Sequence, residues 1–314
     1  MIEAKNLTKR YGGTLAVDDL SFTVRPGLVT GFLGPNGSGK STTMRLIMGL
    51  DAPNHGDVTV NGHHVHDMSW PLHEVGALLE SRSIHPGRSA RGHLQMLAQT
   101  NSIPRARVDE VVEMTGLTSV SRRRAGKFSL GMTQRLGMAA ALLGDPDVLL
   151  CDEPVNGLDP DGVRWVRNLL KSLAREGRTV FVSSHLMAEM ALTADEVIII
   201  GKGRLIVQLP ITELLARSSK RSVRVRSPQV GQLKTALEEL DGVTATLEAD
   251  NSLTVRGTDE VTIAELAASL PVTVYELAPQ SESLEEVFME LTEGTVEYSA
   301  ARPAESPAAK EAGQ

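Results

Sequence analysis

The spacing of apolar residues changes character along the chain, and each change predicts a different layer. Up to about residue 30, apolar and polar positions alternate in MIEAKNLTKRY and LAVDDLSFTVRPG. That period predicts short strands with turns at Gly12-Gly13 and Pro26-Gly27, forming a β layer beside the glycine-rich loop at 34–42. A continuous apolar run, LVTGFL, leads through that loop into TMRLIMGL, which has helical spacing. Residues 57–66, DVTVNGHHVH, predict a hairpin turning at Asn61-Gly62. Helical patterns fill most of 91–143 (HLQMLAQT, ARVDEVVEMTGL, TQRLGMAAALLG), so a helical insertion is expected over about 81–143. Strand patterns return at DVLLCDEP, TVFVSSH and DEVIIIGKGRLI, separated by the helix-like GVRWVRNLLKSLAREG and LMAEMALTA. Short apolar strands alternating with helices predict an α/β fold with a parallel sheet covered on both faces.

Beyond about residue 218 the order becomes strand (SVRVR), helix (Leu233, Leu237, Leu240), hairpin (VTATLEADNSLTVRG, turning at Asp250-Asn251), helix (VTIAELAAS) and strand (VTVYELA). That βαββαβ order predicts a small α+β, ferredoxin-like domain. A closing helix would carry Leu284, Val287, Phe288 and Leu291 on one face. The expected division is 1–217, 218–294, and a disordered Ala-, Glu- and Pro-rich tail over 295–314.

Composition narrows the function more than the fold. With 314 residues and 41% hydrophobic content, a large domain and a smaller one can each bury a core. A net charge of −7 and a pI near 5.7 argue against a protein that binds nucleic acid through a broad basic face, and Arg122-Arg123-Arg124 reads as a solvated face. The single cysteine, Cys151, allows no internal disulfide and lies in an apolar run, where a buried small residue is expected rather than a reactive thiol. No apolar stretch approaches the roughly 20 residues that span a bilayer, and the first residues lack a signal-peptide core. A soluble chain is expected, so work at a membrane would need another polypeptide to cross it.

The chemistry gathers around GPNGSGKST, residues 34–42. Gly34, Gly39, Lys40 and Ser41 fit G-x-x-x-x-G-K-[ST], in which glycines let backbone N–H groups close around an anion at a helix start. Gly34, Pro35, Asn36, Gly37, Ser38, Gly39, Lys40, Ser41 and Thr42 are thus the expected phosphate cradle. Lys40 would reach the β- and γ-phosphates, and Ser41 would offer its hydroxyl to Mg²⁺. A glycine-rich turn that binds nothing is the bland alternative, and the order strand, loop, helix tells against it. In DVLLCDEP, four apolar residues run into Asp152 and Glu153 at the carboxyl end of a strand, where open α/β sheets bind ligands. Asp152 would then belong to the Mg²⁺ shell, and Glu153 would polarise the water attacking the γ-phosphate. His64 and His66 would share a strand face and suggest a metal, but no cysteine or carboxylate pair completes a site, and exposed hairpin histidines are the better reading.

The run FSLGMTQRLGMAAALLGDPDVLLCDEPVNGLDP, followed by VFVSSH, resembles the ATP-binding subunit of an ABC transporter over roughly residues 1–215. The most diagnostic part is the signature segment Phe128-Ser129-Leu130-Gly131-Met132, which keeps Ser129 and Gly131 of the usual L-S-G-G-Q and departs from it at Phe128, Leu130 and Met132. The resemblance implies a P-loop NTPase of ABC type, with ATP and Mg²⁺ as cofactors. It implies a head-to-tail pair of subunits, Ser129 and Gly131 of one closing over ATP held by Lys40 of the other. A homodimer is expected; a heterodimer stays open. It further implies that Tyr11 stacks on adenine, that Asp159 couples the two sites, and that His185 contacts the γ-phosphate. Taken singly, these residues have plainer readings: strand packing for Tyr11, a helix N-cap before Pro160 for Asp159, a loop histidine for His185. Where the family usually has a glutamine that links the Mg²⁺ site to the membrane partner, this chain has Glu80. A carboxylate there can still ligate Mg²⁺ or orient water, but adds negative charge beside the triphosphate.

The implied partners are a second ATPase subunit and a separate multispanning permease, with the chain peripheral on the cytoplasmic face of the membrane and no nucleic acid bound. The single cassette with its added C-terminal domain and SLEEVFMELT segment resembles subunits of drug and antibiotic exporters of the daunorubicin type. A soluble ABC ATPase driving a translation or repair machine is the alternative. Such proteins commonly carry two cassettes or basic extensions, which this chain lacks. The C-terminal domain could bind a small regulator or stabilise the dimer, and the structural role is favoured, since no polar constellation in it marks a pocket.

Overall fold

The computed structural model describes residues 1–79, 84–218, 221–281, 287–289 and 291. The alternating N-terminal segment forms β1 (Ile2–Tyr11) and β2 (Thr14–Val24), an antiparallel hairpin closed by Gly12-Gly13. At 10 and 11 residues, these strands are longer than the short ones expected. β3 (Val29–Leu33) and α1 (Lys40–Ile47) come next, and then β4 (His55–Val60). β4 pairs with β1, not with a strand of its own hairpin, giving a three-stranded sheet in the order β2-β1-β4. The Asn61-Gly62 turn is present, with φ of 51° and 83°, but beyond it only a Val60–His63 bridge forms. β1 offers Ile2 and Ala4 opposite Val60 and Val58, and the histidine-rich return offers no apolar alternation to compete.

The central sheet has six strands. After the short α2 (Pro71–Glu74) come β5 (Val75–Leu78), the helices α3 (Ala90–Thr100), α4 (Arg105–Met114) and α5 (Leu130–Ala141), then β6 (Val148–Asp152), α6 (Pro160–Arg175), β7 (Thr179–Ser184), α7 (Met187–Thr193), β8 (Glu196–Gly201), β9 (Arg204–Pro210) and α8 (Ile211–Ser218). The order is β5-β6-β7-β3-β8-β9, parallel except for β9. DEVIIIGKGRLI is therefore a pair of antiparallel strands, reversed at Lys202-Gly203, both with positive φ.

Both faces of this sheet are covered, as the alternating pattern predicts, but by different layers. Helices α3 to α7 bury one face, around Leu94, Val111, Leu136, Leu170 and Met190. The other face packs on α1 and the β1-β2-β4 sheet, around Leu20, Phe22, Phe32, Met44 and Phe181. The rings of Phe22, Phe32 and Phe181 meet with centroids 5.0–5.8 Å apart. The cause is the period of two in β1 and β2, which leaves one apolar face that a sheet, not a helix, presents.

The C-terminal elements are β10 (Arg221–Arg226), α9 (Val230–Glu238), β11 (Thr244–Leu247), β12 (Ser252–Arg256), α10 (Glu260–Ala268) and β13 (Glu276–Ser281). They form an antiparallel four-stranded sheet, order β11-β12-β10-β13, over a core of Val223, Val225, Leu233, Leu237, Leu253, Val255 and Ile263. This is the ferredoxin-like arrangement. The last strand begins later than VTVYELA suggested, because Val272 and Val274 pack against that core from the preceding loop. Helical positions 287 and 288 and position 291 do something unexpected: Val287, Phe288 and Leu291 join the helix-covered core of the six-stranded sheet, not the core of the small sheet. Leu284 and the 295–314 tail lie outside the described residues.

Candidate nucleotide site

The phosphate-loop sequence leaves the sheet where β3, buried at every position, ends at Leu33. Any Cβ on Gly34 would strike Ser38 Oγ and sit 2.6 Å from the Ile200 carbonyl oxygen; Gly39, at φ 102°, lies against the Ala16 carbonyl. These positions need glycine because the loop closes tightly on its neighbours. The β8–β9 turn braces it from behind, with the Gly203 N–H donating to Ser38 O at 3.0 Å. α1 starts with Gly39 as its cap, with no side-chain cap and no acid in its first turn, so its leading amides present positive potential to the cleft. Lys40 Nζ donates to Gly34 O (2.7 Å) and Pro35 O (3.2 Å) and is only 7% exposed. Burial holds its pKa below the ordinary lysine value, and the charges of Glu153 and Asp152 act in the opposite sense. The loop, Thr14–Ala16, Glu153, Asn156 and His185 line an open cleft of about 530 Å³.

The acid pair is built on two neighbouring strands. Val148–Cys151 are buried, and Asp152 ends β6 in register with Ser183 of β7. Ser183 Oγ donates to Asp152 Oδ1 and accepts from the Glu153 N–H at 3.0 Å. Glu153 itself takes φ 50°, a left-handed conformation uncommon outside glycine. Its Oε2 lies 2.9 Å from His185 Nδ1. Gln134, buried on α5, donates to Pro154 O at 3.0 Å and to Glu153 O at 3.4 Å. Cys151 is fully buried with its thiol pKa pushed far up by desolvation, the inert residue that the sequence implies.

The remaining sequence-derived residues do not line this cleft within the chain. Ser129 caps α5, its Oγ accepting from the Met132 N–H at 3.2 Å. Gly131 packs toward Leu158, and a Cβ on Gly157 would collide with Leu130, so the signature segment and the NGLDP loop lie against each other. Asp159 is the N-cap of α6, accepting from the Gly162 N–H at 2.8 Å. Tyr11 does not pack as a strand residue: it is 44% exposed, and its hydroxyl donates to Asp51 Oδ2 at 2.6 Å, an oxygen shared with Arg45 Nε at 2.7 Å. Lys9 Nζ stands 4.9 Å from the Tyr11 ring centroid. Glu80 lies outside the described residues. The rings of His64 and His66 stack 5.2 Å apart, and no group of three His, Cys, Asp or Glu is arranged to hold a metal among the described residues. For a magnesium ion arriving with phosphates, Ser41 on the cleft wall and Asp152 offer the hard oxygen donors that such an ion takes.

Sequence reasoning passed over Ser183, Gln134, Asn156 and the Thr14–Ala16 wall. Two of these had a signal: hydroxyls ending the apolar TVFVSS strand, and a lone amide in an otherwise apolar helix face.

Comparison with known proteins converges on one family. A family model described as ABC transporter matches residues 17–156, and one described only as a domain of unknown function matches 221–285. An ABC transporter ATP-binding protein of Bacillus subtilis is 39% identical over 302 residues, covering 95% of this chain and 97% of that protein. A bacitracin transport ATP-binding protein of Bacillus licheniformis is 40% identical over 70% of this chain and 73% of its own length. A daunorubicin resistance ATP-binding protein of Streptomyces coeruleorubidus is 31% identical, over 90% and 93%. Among solved structures, a bacterial ABC transporter cassette in dimeric form superposes with a TM-score of 0.63 at 25% identity, covering 67% of this chain and 99% of that one.

Proposed function

Because this chain belongs to the ATP-binding subunits of ABC transporters, we propose a specific role for each residue of its cleft and for its partners. The activity is ATP hydrolysis that powers a membrane transporter. The loop amides of residues 34–42 and the start of α1 hold the phosphates, and Lys40 turns from its two carbonyls toward the β- and γ-phosphates. Glu153 accepts the proton of the attacking water. His185 fixes the Glu153 carboxylate through Nδ1 and presents its other ring nitrogen to the γ-phosphate. Ser41 and Asp152, with Glu80 as a further oxygen donor, would hold a magnesium ion, which would supply charge neutralisation at the phosphates. Tyr11 stacks on the adenine, with its ring set by Asp51. A second copy supplies Ser129 and Gly131, whose place at the start of α5 gives them helix-start amides for the same phosphates, and Asp159 lies in the loop between the paired sites.

No helix among the described residues is long and apolar enough to cross a membrane. In this reading a separate permease carries the path, with this chain docked on its cytoplasmic face, which the relatives' names as transport ATP-binding proteins support. The relatives named for bacitracin transport and daunorubicin resistance support export of a drug, antibiotic or peptide as the work done. The observation that carries the catalytic reading is the 2.9 Å contact of Glu153 with His185 on the wall of the phosphate cleft.

Its test is ATP-dependent dimerisation followed by light scattering after size exclusion. Glu153→Gln should form a stable dimer with Mg-ATP and lose hydrolysis, while the wild type turns over and returns to monomer. Wild-type turnover in Glu153→Gln would overturn the assignment of the base. A monomer in both proteins at saturating Mg-ATP would overturn closure of two copies without the permease.

A further inference from the structure

Ser183 has no part in the hydrolytic roles of Lys40, Asp152, Glu153 and His185, and its place is unusual for its type. β7 is buried at every position, Thr179 to Ser184, and a buried parallel strand ordinarily takes β-branched apolar residues there. A hydroxyl in such a place is tolerated when it is hydrogen-bonded, and this one is bonded twice: to Asp152 as donor and to the Glu153 N–H as acceptor.

We propose that Ser183 is a positioning residue for ATP hydrolysis, its hydroxyl fixing the Asp152 carboxylate and the Glu153 peptide together so that the Glu153 side chain emerges at His185. The proposal rests on the reading of Glu153 as the base. Asp152 and Ser183 are register partners on adjacent parallel strands, so their side chains share a face and the hydroxyl reaches the carboxylate directly. Immediately afterwards the chain leaves the sheet through the left-handed Glu153. A non-glycine residue keeps that conformation where its surroundings over-determine it. Here Ser183 holds the N–H of Glu153, Gln134 holds the carbonyl of Pro154 at 3.0 Å, and His185 meets the carboxylate. Ser183 and His185 are two residues apart at one strand end, so the end of β7 grips both the backbone and the side chain of Glu153. One oxygen gives its proton to Asp152 while receiving one from Glu153, and each bond strengthens the other. The orientation of the two acids is thereby linked through a single atom.

Threonine and valine at this position are nearly isosteric and differ by the hydroxyl, so they form the decisive pair. The full chain is compared as wild type, Ser183→Thr and Ser183→Val. The readings are kcat and KM for Mg-ATP, and binding of a fluorescent ATP analogue in EDTA, which reads the cradle without hydrolysis. Ser183→Thr is expected to stay within about threefold of wild-type kcat, and Ser183→Val to lose about 10- to 100-fold, the range typical of residues that orient a reacting group. KM and analogue affinity stay unchanged in both. In the Glu153→Gln background, Ser183→Val should cost nothing further in residual turnover. Equal kcat for Thr and Val, or a parallel fall of kcat and analogue affinity in Val, overturns the positioning role. Failure of the underlying reading looks different: Glu153→Gln itself would then hydrolyse at the wild-type rate.

Discussion

The carboxyl edge of the six-stranded sheet and the small four-stranded sheet use the same covalent materials in opposite ways. At the first, strands end in residues that resist their surroundings: Gly39 at φ 102°, Glu153 at φ 50°, a buried lysine held by carbonyls, and a buried Ser38 hydroxyl without a hydrogen-bond partner among the described residues. At the second, strands end in turns that suit their residues. Asp250 accepts from the Ser252 N–H and hydroxyl beside Asn251, and Asp259 caps α10 through the Thr262 N–H at 2.8 Å. At the first edge a left-handed glutamate, a buried lysine and an unpartnered hydroxyl meet in one cleft, whereas these two turns of the small sheet are closed by side chains adjacent in sequence.

Lys40→Ala should abolish measurable hydrolysis, a loss of about 10³-fold or more, and weaken nucleotide binding while leaving the thermal midpoint nearly unchanged, because the side chain serves the loop and not a core. Coupled-enzyme turnover and a melting curve check both halves. An ATPase rate near wild type would remove the functional meaning given to the strained edge. The small sheet should answer in reverse. Leu253 is fully buried in it, and Leu253→Ala should cost about 2–5 kcal/mol of that unit's stability, seen as lost amide-exchange protection in β10–β13, with nucleotide affinity retained.

A subtler separation comes from Gly34→Ala. The added methyl meets Ser38 and the Ile200 carbonyl, so binding of an ATP analogue should fall by about tenfold, while Gly231→Ala, in open space on α9, should be neutral or slightly stabilising. The smallest effect is a pH dependence at Asp259. Its pKa is held below the ordinary carboxylate value by the backbone N–H of Thr262, so the cap's contribution is present above pH 3.8, the ordinary value, and is lost as pH falls through the lowered one. The midpoint gap between wild type and Asp259→Ala should be present at neutral pH and close in acid.

Legibility in the sequence divides along the same line. The cradle, the acid pair and the βαββαβ order are encoded in contiguous residues, where spacing alone carries the meaning. What stayed hidden depends on neighbours far apart in sequence. Ser183 meets Asp152 across 31 residues, and Gln134 meets Pro154 across 20. The partnership of β4 with β1 likewise arises because a distant apolar edge outcompetes a local turn. Lys202-Gly203 shows the converse, a local turn signal masked by the apolar run before it.

The return of Val287, Phe288 and Leu291 to the core of the six-stranded sheet changes what kind of attachment the small sheet has. A unit joined at one end is an appendage, free to swing about its tether. This one is mounted at both ends on the same body, as an inserted module is, so each mount limits the motion left by the other. Cutting the chain at 218 would therefore not remove an accessory alone: it would also strip Val287, Phe288 and Leu291 from the ATPase core and expose the surface they cover. Excising 221–281 and bridging the gap with a short flexible linker leaves that surface closed, and it is the deletion that isolates what the small sheet contributes.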